Sequence, residues 1–319
     1  MKPPMELKST WKKRTPKRNK MALIPNKKIL SQDRIVGTLF FISTLLSVLV
    51  TLSIVFFLGK ESWLFFQKVS FWEFFSSKEW SPQIPPLAFG VRPLLVGTFQ
   101  ITIAAGLFAI PLGTLVAVYL SEYASPKTRS WMKPTLDLIA GIPSVVYGFF
   151  AVTVITPFLK LFIPSIEFFN TFSAGLVVGI MILPLVTSLT EESLRALPKE
   201  FKQAASALGA TKSQVTWGIL IPAAGSGIVA SFIIGLSRAI GETMAVTLAA
   251  GATPRLTWSP LVGIQTMTAY IAQVSLGDTP TNSVEYESMF AVGALLFCIT
   301  FGLNIIARKI IRKVKLHHA

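Results

Sequence analysis

Arg238 and Glu242 are the residues of this chain whose types and spacing could do chemistry. They lie four apart in an apolar stretch of about 219–250, and on a continuous helix that spacing puts both on one face. Counting about 16 residues from Pro222 at ~1.5 Å each places Arg238 roughly 24 Å along the helix. That is deep in a hydrocarbon layer of ~30 Å, where a charge is costly and points to function. A guanidinium presents a planar fork that matches the oxygens of phosphate or sulfate. Glu242 would steady that fork and weaken its grip, as a transit site must release its ion. The same pair could instead lock two helices together and touch no substrate. Ser237 and Thr243 add hydroxyls nearby, of a kind common in helix packing. Asp137 is the third ionisable residue in an apolar run, and its position near the start of that run puts it at headgroup level.

A second constellation is polar. Lys199–Pro222, KEFKQAASALGATKSQVTWGILIP, interrupts an otherwise greasy chain. Its middle is small and helix-prone, and Gly209 offers a left-handed helix stop. The segment reads as a short helix, a turn and a second helical entry. Gln203, Ala204, Ala205 and Gly209, followed by Ile219, Ile221 and Pro222, have the spacing Glu-Ala-Ala, three residues, Gly, nine residues, Ile, one residue, Leu-Pro. That spacing resembles the coupling loop through which ABC-importer permeases hold a separate ATPase. Gln203 stands for the usual Glu and removes a charge, and Ile221 stands for the usual Leu.

The elements that must carry these residues are membrane helices. Of 319 residues 52% are hydrophobic and 14% charged, and several apolar runs exceed ~18 residues. In lipid every backbone polar group must be paired within the chain, so these runs are expected to be helical. Spans are expected at about 35–58, 94–120, 134–158, 173–190, 219–250 and 288–308. Pro111 and Gly113 predict a kink in the second, Gly141-Ile142-Pro143-Ser144 a break in the third, and Pro184 an interruption in the fourth. The first run is read as a span, since its length is ~24 residues and no small-residue cleavage site follows. The domain reading is a basic, disordered tail over 1–33, a first helix with an aromatic-rich outer segment over 34–93, a permease core over 94–310, and a tail over 311–319. Trp63, Phe65, Phe66, Phe71, Trp72, Phe74, Phe75 and Trp80 suit the membrane–water interface, or a lid. The outer loop 251–287 is long enough to dip back into the protein.

The net charge of +15 would suit a nucleic-acid binder if it formed one face. It does not. Residues 1–34, 121–133, 191–216 and 308–315 hold 23 of the 30 Lys and Arg, an alternation that sets topology. Six spans with both termini cytoplasmic satisfy it, with the tail near anionic lipid and no nucleic acid as partner. Cys298 is expected as a small core residue, and His317 and His318 as tail. The sequence holds no phosphate-loop motif, no HExxH, no GxSxG and no repeat at solenoid periods. Energy must therefore come from a partner, and no cofactor is expected on this chain.

FGVRPLLVGTFQIT, AVYLSEYAS, GIPSVVYGFFA, the coupling segment and GLSRAIGETMAV together resemble the PstC-type permeases of bacterial phosphate ABC importers, over about residues 35–310. The resemblance implies an all-α, six-span type I ABC-importer permease fold with a cytoplasmic coupling helix. It implies a heterodimer with a PstA-like permease, two cytoplasmic ATPase subunits carrying ATP-Mg, and an extracytoplasmic phosphate-binding protein. Arg238 and Glu242 then occupy the place of the family's charged pair in the phosphate path. The rival substrates are sulfate and molybdate, and the rival class is a membrane scaffold that holds an ATPase without transport.

Overall fold

A computed structural model of the chain describes residues 27–316, with side chains from 35 to 311. Most of the expected basic tail over 1–33, and His317 and His318, lie outside the described residues. Helix α1, Lys27–Lys68, begins within that expected tail and outruns the expected first span at both ends. The chain divides into two compact units, residues 1–54 and 55–319. In the first, all described side chains from 35 to 54 are exposed. Apolar residues on every side suit a helix surrounded by lipid. Thr44, Thr51 and Ser53 donate to the carbonyls four residues back, at 2.8, 2.9 and 2.8 Å, so their hydroxyls need no water.

The second unit contains the end of α1 and the short α2, Phe71–Ser76. A hairpin of two-residue strands follows, β1 (Trp80–Ser81) and β2 (Ala88–Phe89), paired antiparallel with Trp80 opposite Phe89. Helix α3 spans Arg92–Val118 and α4 Pro126–Gly141. Next come α5 (Ser144–Phe150), α6 (Thr156–Lys160) and α7 (Thr171–Arg195). The polar segment forms α8 (Lys199–Ala207), α9 (Lys212–Val215) and α10 (Ile221–Ala223). Helices α11 (Gly225–Ile240), α12 (Met244–Ala250), α13 (Met267–Leu276) and α14 (Val284–Leu316) complete the chain. Wider π-helical turns occupy Tyr119–Tyr123, Ala151–Ile155 and Thr216–Leu220.

Four helices are long and apolar enough to cross a membrane, and the count reaches six if two bent pairs each form one crossing. The bends are 87° between Pro126–Gly141 and Ser144–Lys160, and 69° between Lys212–Ala223 and Gly225–Ile240. The third expected span therefore turns at Ile142–Pro143, where Pro143 removes an amide and holds its neighbour extended. The fourth differs from expectation in the opposite sense, since α7 runs unbroken through Pro184, and α3 likewise stays one helix through Pro111. Pro184 is buried, where neighbouring helices shield the freed carbonyl, whereas Pro111 is exposed.

The core lies where α3, α7 and α11 meet. Small residues let the backbones approach: a Cβ on Gly175 would fall 2.4 Å from the Cβ of Ala104, and one on Gly235 2.7 Å from Val186. Close packing is the main attraction between helices in lipid, where the hydrophobic effect adds little. At one end of the unit the aromatics sort themselves. Phe65, Phe74, Trp80 and Phe89 form a buried cluster with Tyr270, with rings edge to face, whereas Trp63, Phe71 and Trp72 stay exposed. Only the exposed set fits the expected interface belt. At the same end residues 263–270 are all buried, so the loop 251–287 does dip into the protein. Cys298 is exposed on α14 instead of buried.

Candidate functional site

Arg238 and Glu242 are not on one helix. Helix α11 stops at Ile240, Gly241 caps it, and α12 starts at Met244, so Glu242 and Thr243 lie in the break. Glycine at the cap and the start of a second helix overrule the count of four, which assumes continuity. The two side chains form no ion pair with each other, and neither appears in any ion pair among the described residues. The reading of the pair as an internal lock is therefore corrected.

Each member has a distinct setting. The Glu242 carboxylate accepts the amide of Ala245 at 3.2 Å and so satisfies an open N–H of α12. Its carbonyl accepts the Thr268 hydroxyl at 2.8 Å, which ties the break to the loop that dips into the protein. Arg238 is exposed, in the last turn of an apolar helix, and forms no ion pair among the described residues. The Ser237 hydroxyl beside it is buried without a hydrogen bond, and the Thr243 hydroxyl donates to the Gly241 carbonyl at 3.3 Å. Asp137 lies exposed on α4. The arrangement leaves one free guanidinium beside a helix break, able to take two oxygens of an anion.

The polar segment has the expected plan. Gly209 takes φ +82°, with open space where a Cβ would stand. Ala210 donates to the Ala205 carbonyl at 3.2 Å and Gly209 to Ser206 at 3.0 Å, closing α8 with the paired bonds of a left-handed cap. Thr211 and Gln214 form a capping box that starts α9. Ala205 is buried with Val118, Leu194, Val215, Leu220, Ala224 and Ile228. Gln203, Ala204 and Gly209 are exposed, so the segment is anchored by Ala205 and shows the other three outward.

Several contributors were not found from sequence. Lys202 pairs with Glu122 at 2.6 Å, and the Lys212 ammonium lies 4.7 Å from the centre of the Tyr123 ring. Both clamp the segment to the π turn after α3, and the AVYLSEYAS run contained the signal without its partners. Phe201 and Leu208 are exposed beside Gln203, Leu208 by 90%. Glu191, fully buried at the end of α7, collects Arg129 and Lys133 from α4. At the opposite end Arg255 donates to both Glu167 oxygens at 2.9 Å, and the Gly263 amide donates to Glu167 at 3.1 Å. These bonds hold the exposed Glu167 carboxyl below its usual range, the Gly263 amide first and Arg255 next.

Residues 109–316 match the family described as the binding-protein-dependent transport system inner membrane component. The chain belongs to that family. The matched part includes the break at 241–243 and the whole polar segment. A probable ABC transporter permease protein, YqgH of Bacillus subtilis, is 34% identical over 236 residues, 74% of this chain and 76% of that protein. The phosphate transport system permease protein PstC of Xylella fastidiosa (strain 9a5c) is 34% identical over 255 residues, 74% of this chain and 77% of its own. Among solved structures, a bacterial ABC transporter for import of the acidic polysaccharide alginate matches at TM-score 0.58 and 16% identity, over 89% of this chain and 98% of that one. The MetNI methionine ABC transporter matches at TM-score 0.52 and 20% identity, over 70% and 94%. The architecture is that of a type I ABC-importer permease, and the chain is a membrane component of a transport system.

Proposed function

We propose that this family member is the permease subunit through which inorganic phosphate enters the cytoplasm, driven by ATP hydrolysis on separate subunits. The observation that carries the proposal is the Arg238 guanidinium, without an ion pair among the described residues, beside the break at 241–243. The phosphate transport relatives support the choice of oxyanion. In this reading the face with α8 is cytoplasmic and both termini lie on that side. Gln203, Ala204 and Gly209, with Phe201 and Leu208, meet an ATPase subunit, and Ala205 anchors them. A PstA-like permease completes the pathway, two ATPase subunits carry ATP-Mg, and an extracytoplasmic phosphate-binding protein delivers the ion. This chain hydrolyses nothing. Arg238 replaces part of the anion's water, and the lack of an internal carboxylate leaves its whole charge for the substrate. Closing and opening of the two faces moves the ion past it.

Uptake of radiolabelled phosphate by proteoliposomes holding this chain with its partner subunits tests the substrate. ATP-dependent uptake that resists excess sulfate and molybdate is expected. Uptake abolished by either competitor would keep the architecture and replace the substrate. ATPase binding with no anion flux would favour the scaffold.

A further inference from the structure

Glu191 is a charge hub that transport through Arg238 does not use. Its side chain is 1% exposed. One oxygen pairs with the Arg129 guanidinium, the other with the Lys133 ammonium at 2.9 Å, and Arg195 lies 3.7 Å away, one turn along α7. Arg129 and Lys133 are themselves one turn apart on α4, so both reach the same carboxylate. Three cations thus share a single negative charge. Asp137 and Glu192 are the other carboxylates of α4 and of the last turn of α7, and neither pairs with the cluster. Two positive charges are left over, on side chains exposed by 23%, 38% and 50%.

Like charges held together repel, and a buried carboxylate is costly unless its partners are fixed. Glu191 meets that condition and in doing so gathers three partly exposed cations around one carboxylate. Helix α4 lies at 87° to the segment after it, with Lys127 and Trp131 exposed. An amphipathic helix across the line of a membrane crossing lies near the surface, at the level of headgroup phosphates. Two surplus charges with a guanidinium fork suit a phosphate dianion or a phosphomonoester, where each N–H donates to an anionic oxygen.

We propose that Arg129, Lys133 and Arg195, seated on Glu191, form a second phosphate-group site at the face that carries α8. The ligand is orthophosphate leaving the pathway or the headgroup of an anionic lipid. The first source rests on the transport reading above; the second does not.

The test uses the full chain with Arg238→Gln, so that the pathway arginine contributes nothing. It is placed in nanodiscs of phosphatidylcholine, or of phosphatidylcholine mixed with phosphatidic acid. Equilibrium binding of radiolabelled inorganic phosphate is measured in the first, and retained anionic lipid is counted by native mass spectrometry in the second. Arg195→Gln leaves the two closer pairs on Glu191 in place, and an unchanged melting transition verifies the fold. It should weaken binding about tenfold, the scale of one lost charge-assisted contact. Saturable phosphate binding assigns the free ion, and lipid retention alone assigns the headgroup. No binding in either membrane, or equal binding with and without Arg195, overturns the proposal and leaves an ion-pair network. Uptake by the assembled transporter with Arg238 intact is run alongside. Failed uptake with an intact second site would count against the transport reading alone.

Discussion

Arg238 and Glu242 are neighbours in sequence with separate tasks. Glu242 acts on the backbone, so its oxygen matters more than its charge. Glu242→Gln keeps an acceptor for the Ala245 amide, and Glu242→Ala does not. Thermal unfolding in detergent should be nearly unchanged for the first and lowered by about 1 kcal/mol for the second, as for a lost helix cap; equal losses would remove the capping role. Glu167 makes a pH prediction. Its carboxyl is held low in the folded chain, so its contribution is complete above the ordinary carboxylate range and is lost progressively as pH falls from that range through the lower folded value. Hydrogen exchange in residues 251–265, corrected for intrinsic rate, should stay flat above that range and rise as pH falls from it toward the lower folded value. Glu167→Gln should raise it at neutral pH. A rise in the parent chain already at mildly acid pH would contradict the assignment.

Two elements depend on glycine for different reasons. Gly209 is needed for its backbone, because φ +82° is a conformation that a branched residue resists by about 1–2 kcal/mol. Gly209→Val should fray the end of α8 and leave ATP hydrolysis running with little transport; tight coupling in that variant would remove the loop from the mechanism. Gly175 is needed for its size. Gly175→Val would push against Ala104 and separate α3 from α7, with a loss of about 1–3 kcal/mol, visible as a lower melting temperature. An unchanged melting temperature would show that the two helices can part without cost. At this scale the sequence was partly readable. The left-handed stop at Gly209 followed from its place after a small-residue helix. The break at Gly141–Ser144 followed from Gly and Pro together, but its 87° angle depends on what α4 packs against. The break at Gly241 was missed because a single glycine in an apolar run is also compatible with continuous helix.

Across the whole molecule, the apolar runs foretold the helical architecture, since lipid allows few alternatives. Long-range pairing was hidden. Glu191 meets Arg129 more than sixty residues away, and the inward-turned Trp80 packs on Tyr270, which α13 brings from far along the chain. Arg238 stood out in the sequence as one charge amid apolar residues, but its lack of an ion-pair partner among the described residues was hidden. That lack is the centre of the account, and one comparison tests it most directly. ATP-driven phosphate uptake and ATPase activity are measured together in proteoliposomes of the assembled transporter, with Arg238 or Arg238→Gln. Uptake should fall about a hundredfold, the scale of a lost desolvated charge contact, while assembly and basal ATP hydrolysis persist. Uptake that survives Arg238→Gln at the parent rate would contradict it.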